Sequence, residues 1–307
     1  MRRLALSVAL VALLPATSAA AAELDELLEQ SREAAYSAEE AIVCSTPNGV
    51  RDAIVRVSQS DGEIRVASSV ARDVEVKAGD GGWTLLRQGG VVTSASLDVE
   101  GADIEAQYTV EELGDGQVLG RSSTSYRLVR DGATRAELMF DDESGALVAA
   151  TTFTAKGEVY CNWRFISFDP TDPGNESLSL ESPEELELSP WVDAPLPETV
   201  AGFELLDLYQ DDEGFRFAYY SDGFFSFAVF ETPSMVSLGD AEPVVFGEAT
   251  YLRSFAPGQA TYVWEARSGG MALVGDLPPD LHEEVLESLP VPEDRGLLQR
   301  VWRTLFG

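Results

Sequence analysis

The sequence predicts an α+β protein that is mostly β. A large antiparallel sheet with a helix near its start is followed by a smaller antiparallel β domain with a short helix. Three observations carry this expectation. From Ile42 to about Phe168, short alternating apolar–polar runs are separated by turn signals such as PNG, SDG, GDGG and DGA. Residues 169–197 are acidic and proline-rich, and the stretch 167–199 holds six of the fifteen prolines, which reads as an extended linker or as a loop wrapped along the first domain. From 198 to 290 the alternation resumes and ends in PPDLHEEVLESL, where Leu281, Val285 and Leu289 recur at helical spacing behind two prolines.

The elements follow in order. MRRLALSVALVALLPATSAAAA, residues 1–22, has two arginines, an apolar run from Leu4 to Leu14, Pro15 and a small-residue end. That is the three-part pattern of a secretory signal peptide, and its apolar run is shorter than the roughly 20 residues of a membrane span. The mature chain is expected to be exported and soluble. Residues 23–41, ELDELLEQSREAAYSAEEA, read as an amphipathic helix carrying Leu24, Leu27 and Leu28 on one stripe. AIVCST, DAIVRVSQ, GEIRVASS, DVEVKAG and GGWTLLRQ read as strands. A stretch of uncertain type, SLDVEGADIEAQYTVEELGDG, follows. TSYRLVRD, TRAELMFD, ALVAATTFT and EVYCNWRFISF complete a meander through residues 23–168. In the second domain VAGFELLDLYQ, FRFAYYS, FFSFAVFE, VVFGEATYLRSF, QATYVWEAR and GMALVGDL are strand-like.

Composition excludes several function classes. The chain carries 21 basic and 53 acidic residues, a net charge of −32. Cleavage after residue 22 removes only Arg2 and Arg3, leaving 19 basic residues and −34. Such a field repels nucleic acid and anionic surfaces and favours basic partners. The two cysteines, Cys44 and Cys161, are expected to form a disulfide in an exported chain. With a single histidine they make no metal-ligand set. A hydrolase needs a nucleophile and a base. The only histidine, His282, reads as a solvated position of the closing helix, and no G-x-S-x-G, S-x-x-K or H-E-x-x-H occurs. The acid pairs Asp141-Asp142, Asp211-Asp212 and Glu283-Glu284 do not form a carboxylate dyad, because strand neighbours point to opposite faces. DDESG and QDDEG are too short for a calcium loop. No catalytic residue, metal or cofactor is expected.

Two stretches invite a binding role. YSDGFFSFAVFE, residues 220–231, places Phe224, Phe225, Phe227 and Phe230 straight after Tyr220 and a turn. It reads as a core hairpin strand, a partner surface or the lining of a pocket. Residues 291–307 end in RGLLQRVWRTLFG, a basic amphipathic helix in which Leu298, Trp302 and Phe306 share a stripe and Arg300 and Arg303 lie around the other side. A helix of this kind suits a membrane interface, a partner's groove or the acidic surface of its own chain.

YSDGFFSFAV, then TYVWEARSGGMALVGDLPPDLHEEVLESL, resembles the C-terminal domain of the MucB/RseB family of sigma-factor regulatory proteins. LPETVAGFELLD matches the LP-x-GF start of that domain. LMFDDESGALVAATTFTAKGEVYCNWRFISFD resembles the end of the family's N-terminal domain, so the likeness spans about Glu137 to Leu289. The resemblance implies a LolA/LppX-like N-terminal half-barrel, a curved antiparallel sheet closed by helices over an apolar concavity suited to acyl chains. It further implies a small C-terminal domain that docks the extracytoplasmic part of a membrane anti-sigma factor, shielding it from protease until envelope stress or a lipid signal releases it. The family has no enzymatic activity. The expected protein is a periplasmic negative regulator of an extracytoplasmic sigma factor. The alternative is a lipid or lipoprotein carrier of the cell envelope. The high acidity and the pair Cys44 and Cys161 depart from the family pattern.

Overall fold

The structure, a computed structural model, describes residues 17–60, 63–68, 74–79, 82–87, 90–95, 104–171, 189–190, 196–210, 216–232, 241–256, 258–266 and 269–292. Helix α1 spans Thr17–Glu33. Eleven strands follow: β1 (Tyr36–Thr46), β2 (Gly49–Ser60), β3 (Glu63–Ser68), β4 (Val74–Gly79), β5 (Gly82–Arg87), β6 (Gly90–Ala95), β7 (Thr109–Val118), β8 (Arg121–Arg130), β9 (Ala133–Asp141), β10 (Leu147–Phe153) and β11 (Val159–Asp169). Helix α2 (Ile104–Gln107) lies between β6 and β7. The strands form one antiparallel sheet in the order β6-β5-β4-β3-β2-β1-β11-β10-β9-β8-β7. All neighbours are sequential hairpins except β1 and β11, which bring the two ends of the domain together and set Cys44 directly opposite Cys161. Their sulfurs are bonded. The edge strands β6 and β7 do not pair with each other, so the sheet stays open.

Two sequence expectations shift here. The first helix was expected over residues 23–41, but it ends at Glu33 and Tyr36–Thr46 is strand. Residues 37–41, SAEEA, have good helix propensity, and ladders to both β2 and β11 override it. In the stretch of uncertain type, α2 and β7 form, and β6 just before it is a strand that the alternation did not single out.

The sheet buries one face. Over its β7–β10 side, Val110, Tyr126, Leu128, Leu138 and Phe140 pack with Leu24 of α1 and Ile104 of α2. Toward β1 and β2 the face continues through Tyr36, Ala38, Val55, Val57, Val148 and Phe165. Glu40 points to this face, since it pairs across the strands with buried Val55 and Phe165. Burial pushes its carboxyl up to about 7.

The second sheet contains β12 (Ser189–Pro190), β13 (Thr199–Val200), β14 (Phe203–Gln210), β15 (Arg216–Ser221), β16 (Ser226–Thr232), β17 (Glu242–Phe246), β18 (Ala249–Ala256), β19 (Gln259–Ala266) and β20 (Gly269–Gly275). Its order is β12-β14-β15-β16-β20-β19-β18-β17, with β13 on β14. Within the expected linker, Ser189 and Pro190 pair with Gln210 and Tyr209. VVFGEATYLRSF, read as one extended run, is two strands folded back at Gly247-Glu248. Helix α3 (His282–Ser288) closes the domain, with Val285 and Leu286 buried. The main core joins Phe203, Tyr220, Phe225, Phe227, Tyr251, Tyr262 and Trp264 to Val285 and Leu286. Phe217, Tyr219, Phe230 and Val263 form a cluster on the opposite face.

Candidate functional site: the seam between the two sheets

Alternation of strand direction puts the end of β1, the starts of β2 and β11, the end of β10, the start of β9, the end of β8 and the start of β7 on one end of the first sheet. The second domain sits across this row. At the β1 side, the Gly258 N–H donates to Cys44 Sγ at 3.0 Å and Arg253 reaches Asn48 Oδ1 at 3.4 Å. In the middle, Asp280 accepts from Arg135 Nη1 at 2.8 Å and from the Ala155 N–H at 3.1 Å. At the β7–β8 side, Asp222 accepts from Tyr108 Oη at 2.6 Å and from Arg130 Nη1 at 3.0 Å.

Asp222 is the D of YSDG. Its Oδ1 accepts the N–H groups of Phe224 and Phe225 at 3.1 and 2.8 Å and so fixes the turn between β15 and β16. Its Oδ2 takes both donors from the other domain. The side chain is fully buried. Burial pushes its carboxyl above the usual range, more than the Tyr108 hydrogen bond, the two amides and Arg130 pull it down. Burial and the negative charge of Asp222 push the Tyr108 hydroxyl well up, so it remains a donor. Arg130 Nη2 also donates to the Ala201 carbonyl at 3.2 Å. Ala201 and Gly202 both have positive φ, +51° and +84°. The φ of +84° is one that side-chain-bearing residues rarely adopt, which suits glycine at 202, and a Cβ there would also push on the Arg130 guanidinium. Three family-like stretches (LPETVAGF, YSDGFF and VGDLPPD) therefore all meet the first domain here.

The sequence-singled residues fall in different places. Phe225 and Phe227 are 1% exposed and lie in the main core, while Phe230 is buried on the opposite face, stacked on Phe217. Tyr220 is fully buried, and its hydroxyl donates to the Pro197 carbonyl at 2.8 Å. Phe224 leaves the alternation. It packs against both the C-terminal core and the N-terminal core, with its ring edge-on to Tyr108. Leu298, Arg300, Trp302, Arg303 and Phe306 lie outside the described residues, as do residues 1–16 of the expected signal peptide.

His282 corrects an expectation. It is not a solvated helix position but 2% exposed. Its Nε2 faces the Leu277 carbonyl at 2.8 Å and must carry the proton, which leaves Nδ1 to accept from the Tyr262 hydroxyl. Burial pushes its pKa down to about 4. The buried imidazole is neutral, so stability is full above the unfolded value near 6.5 and falls as the pH drops toward 4. Being the only histidine, it gives a single imidazole resonance. NMR titration should place its midpoint near 4. A midpoint at about 6.5, the free value, would refute the buried arrangement.

Arg130, Tyr108, Arg135 and Asp280 were not singled out from sequence. They are ordinary strand and loop residues, and only long-range packing gives them partners. Among the described residues no group of three or more His, Cys, Asp or Glu could hold a metal, and no helix is long and apolar enough to cross a membrane.

No family model and no curated protein matches the sequence. Solved structures do. A crystal structure of MucB covers 90% of this chain and 98% of its own, at 18% identity and TM-score 0.58. A chain of the Pseudomonas aeruginosa MucA/MucB complex covers 91% and 100%, at 19% identity and TM-score 0.55. MucB in complex with MucA(peri) gives 91% and 100%, at 18% identity and TM-score 0.53. The protein thus has the two-sheet fold of MucB, a mostly β fold of open antiparallel sheets, over nine-tenths of its length. These neighbours carry the name of the family whose stretches this sequence resembles.

Proposed function

We propose that the protein is an exported, non-enzymatic regulatory binding protein that restrains an extracytoplasmic sigma factor by holding the extracytoplasmic part of a membrane anti-sigma factor, and that lipid or envelope stress modulates this hold. The observation that carries the reading is the match of both domains together to MucB, which has been solved bound to MucA(peri). A carrier of single acyl chains would need only the first sheet. Here the second domain is seated on the first through two charge pairs and a sulfur contact. The net charge of −32 supports a basic contact surface on the partner. After processing the protein would reside in the periplasm.

Affinity purification of the full chain from detergent-solubilised membranes tests this. A stoichiometric single-pass membrane protein is the expected co-purifying species, and its retention should weaken as salt rises past about 0.1 M, where screening acts within about 10 Å. Recovery of lipid with no such protein would replace the regulatory reading by the carrier reading.

A further inference from the structure

We propose that Asp222 couples the two domains: through Tyr108 it ties α2, the short helix lying on the first sheet, to the turn that opens the core hairpin of the second domain, so that displacement of α2 is transmitted across the seam. This goes beyond the regulatory reading and does not depend on which partner or lipid the protein holds.

The division of labour on one carboxylate is the basis. Holding the YSDG turn requires only Oδ1, which accepts the two amides of Phe224 and Phe225. An asparagine would do this as well. The second oxygen does nothing for the turn. It is given over to Tyr108 and Arg130 of the other domain, with the carboxylate itself fully buried. A buried charge with two cross-domain donors is strongly destabilised when either is withdrawn.

Tyr108 leads onward. It directly follows α2, and its N–H donates to the Ile104 carbonyl at 2.8 Å. Ile104 is 1% exposed and packs in the same cluster as Leu24 of α1 and Leu128 and Phe140 of the sheet. On the other side, the Asp222 N–H donates to the Phe225 carbonyl, and Phe225 belongs to the C-terminal core. Phe224 reinforces the link by touching both cores. A continuous path of buried contacts therefore runs from the helix layer of the first domain into the core of the second. Among the described residues, the other seam hydrogen bonds named above run to strands and turns of the first sheet and not to α2. Asp280 reaches the start of β9 and the β10–β11 turn, and Gly258 reaches β1.

The test uses the full chain with no lipid or partner, so its failure is distinguishable from failure of the regulatory reading. Asp222→Asn keeps an oxygen for the turn amides and presents a donor to Tyr108 and Arg130. Amide hydrogen exchange is then followed residue by residue. Loss of the charge-assisted bonds should speed exchange of the Tyr108 amide at least about tenfold while the Phe225 amide stays protected. Tyr108→Phe, which removes one hydroxyl and preserves the ring, serves as the gentler variant: it should speed exchange of the residue-108 amide by less and again leave the Phe225 amide protected, since Asp222 Oδ1 still holds it. Asp280→Asn should affect the Tyr108 amide much less. An unchanged Tyr108 amide in Asp222→Asn overturns the proposal. So does an equal response to Asp280→Asn, which would mean that the seam loosens as a whole.

Discussion

Phe227→Ala should lower the stability of the C-terminal domain by about 3–5 kcal/mol, the range for a phenylalanine removed from a packed core. The ring is 1% exposed, lies parallel to Tyr220 with centroids 4.9 Å apart, and meets Phe203 edge-on at 5.2 Å. Its cross-strand partner on β20 is Gly275, where a Cβ would come within 2.5 Å of Phe227 Cβ. The two strands are thus already in close approach at this pair. The cavity left by truncation could not collapse easily, because Tyr220 is fixed by its hydrogen bond to Pro197. The cost should fall in the upper part of the range. Urea unfolding followed by circular dichroism measures it. A loss below about 1 kcal/mol would mean that the stretch is a surface and not a core strand.

Replacing both Cys44 and Cys161 by alanine should cost up to about 4–5 kcal/mol, from the entropy of a loop spanning 117 residues. The figure is an upper one. The two residues are direct partners on β1 and β11, and that ladder survives without the bond. The effect remains large because, among the described strands, β1 with β11 is the one non-sequential pairing of the sheet. All other neighbours are joined by hairpins and re-form locally, whereas this pair must close the whole domain. Comparing denaturation midpoints of the oxidised protein and the double alanine variant gives the number. A difference under about 1 kcal/mol would show that the pairing needs no covalent support.

Most strands of both sheets are legible because their side-chain period and turn residues are local properties; β6, β7, β12 and the first half of β1 are not. Residues Thr124–Phe153 show it well: buried Tyr126, Leu128, Leu138, Phe140, Val148 and Ala150 alternate with more exposed neighbours. Boundaries were legible only where propensity and pairing agreed. The run 37–41 has helix-forming residues, yet it is strand because β2 and β11 claim both its edges. The seam was not legible. Nothing in the neighbourhood of Tyr108, Arg130 or Arg135 marks them in sequence, since their partners lie 114, 92 and 145 positions away. His282 was misread for a related reason. The helical period predicted its helix, but the partner that buries it, Tyr262, sits on a distant strand.

The sequence by itself therefore determined the mostly β class, the two sets of strands, the acidic surface and the stretches that resemble the family. These depend on periodicity, composition and turn chemistry, which act over a few residues. Only the tertiary structure decided what the YSDG turn is for. Its aspartate could have served the turn alone, and in sequence that is all it can be seen to do. The fold brings Arg130 and Tyr108 against its second oxygen and buries the carboxylate completely. There a buried carboxylate must find partners or go uncharged, so a local turn residue joins the two domains.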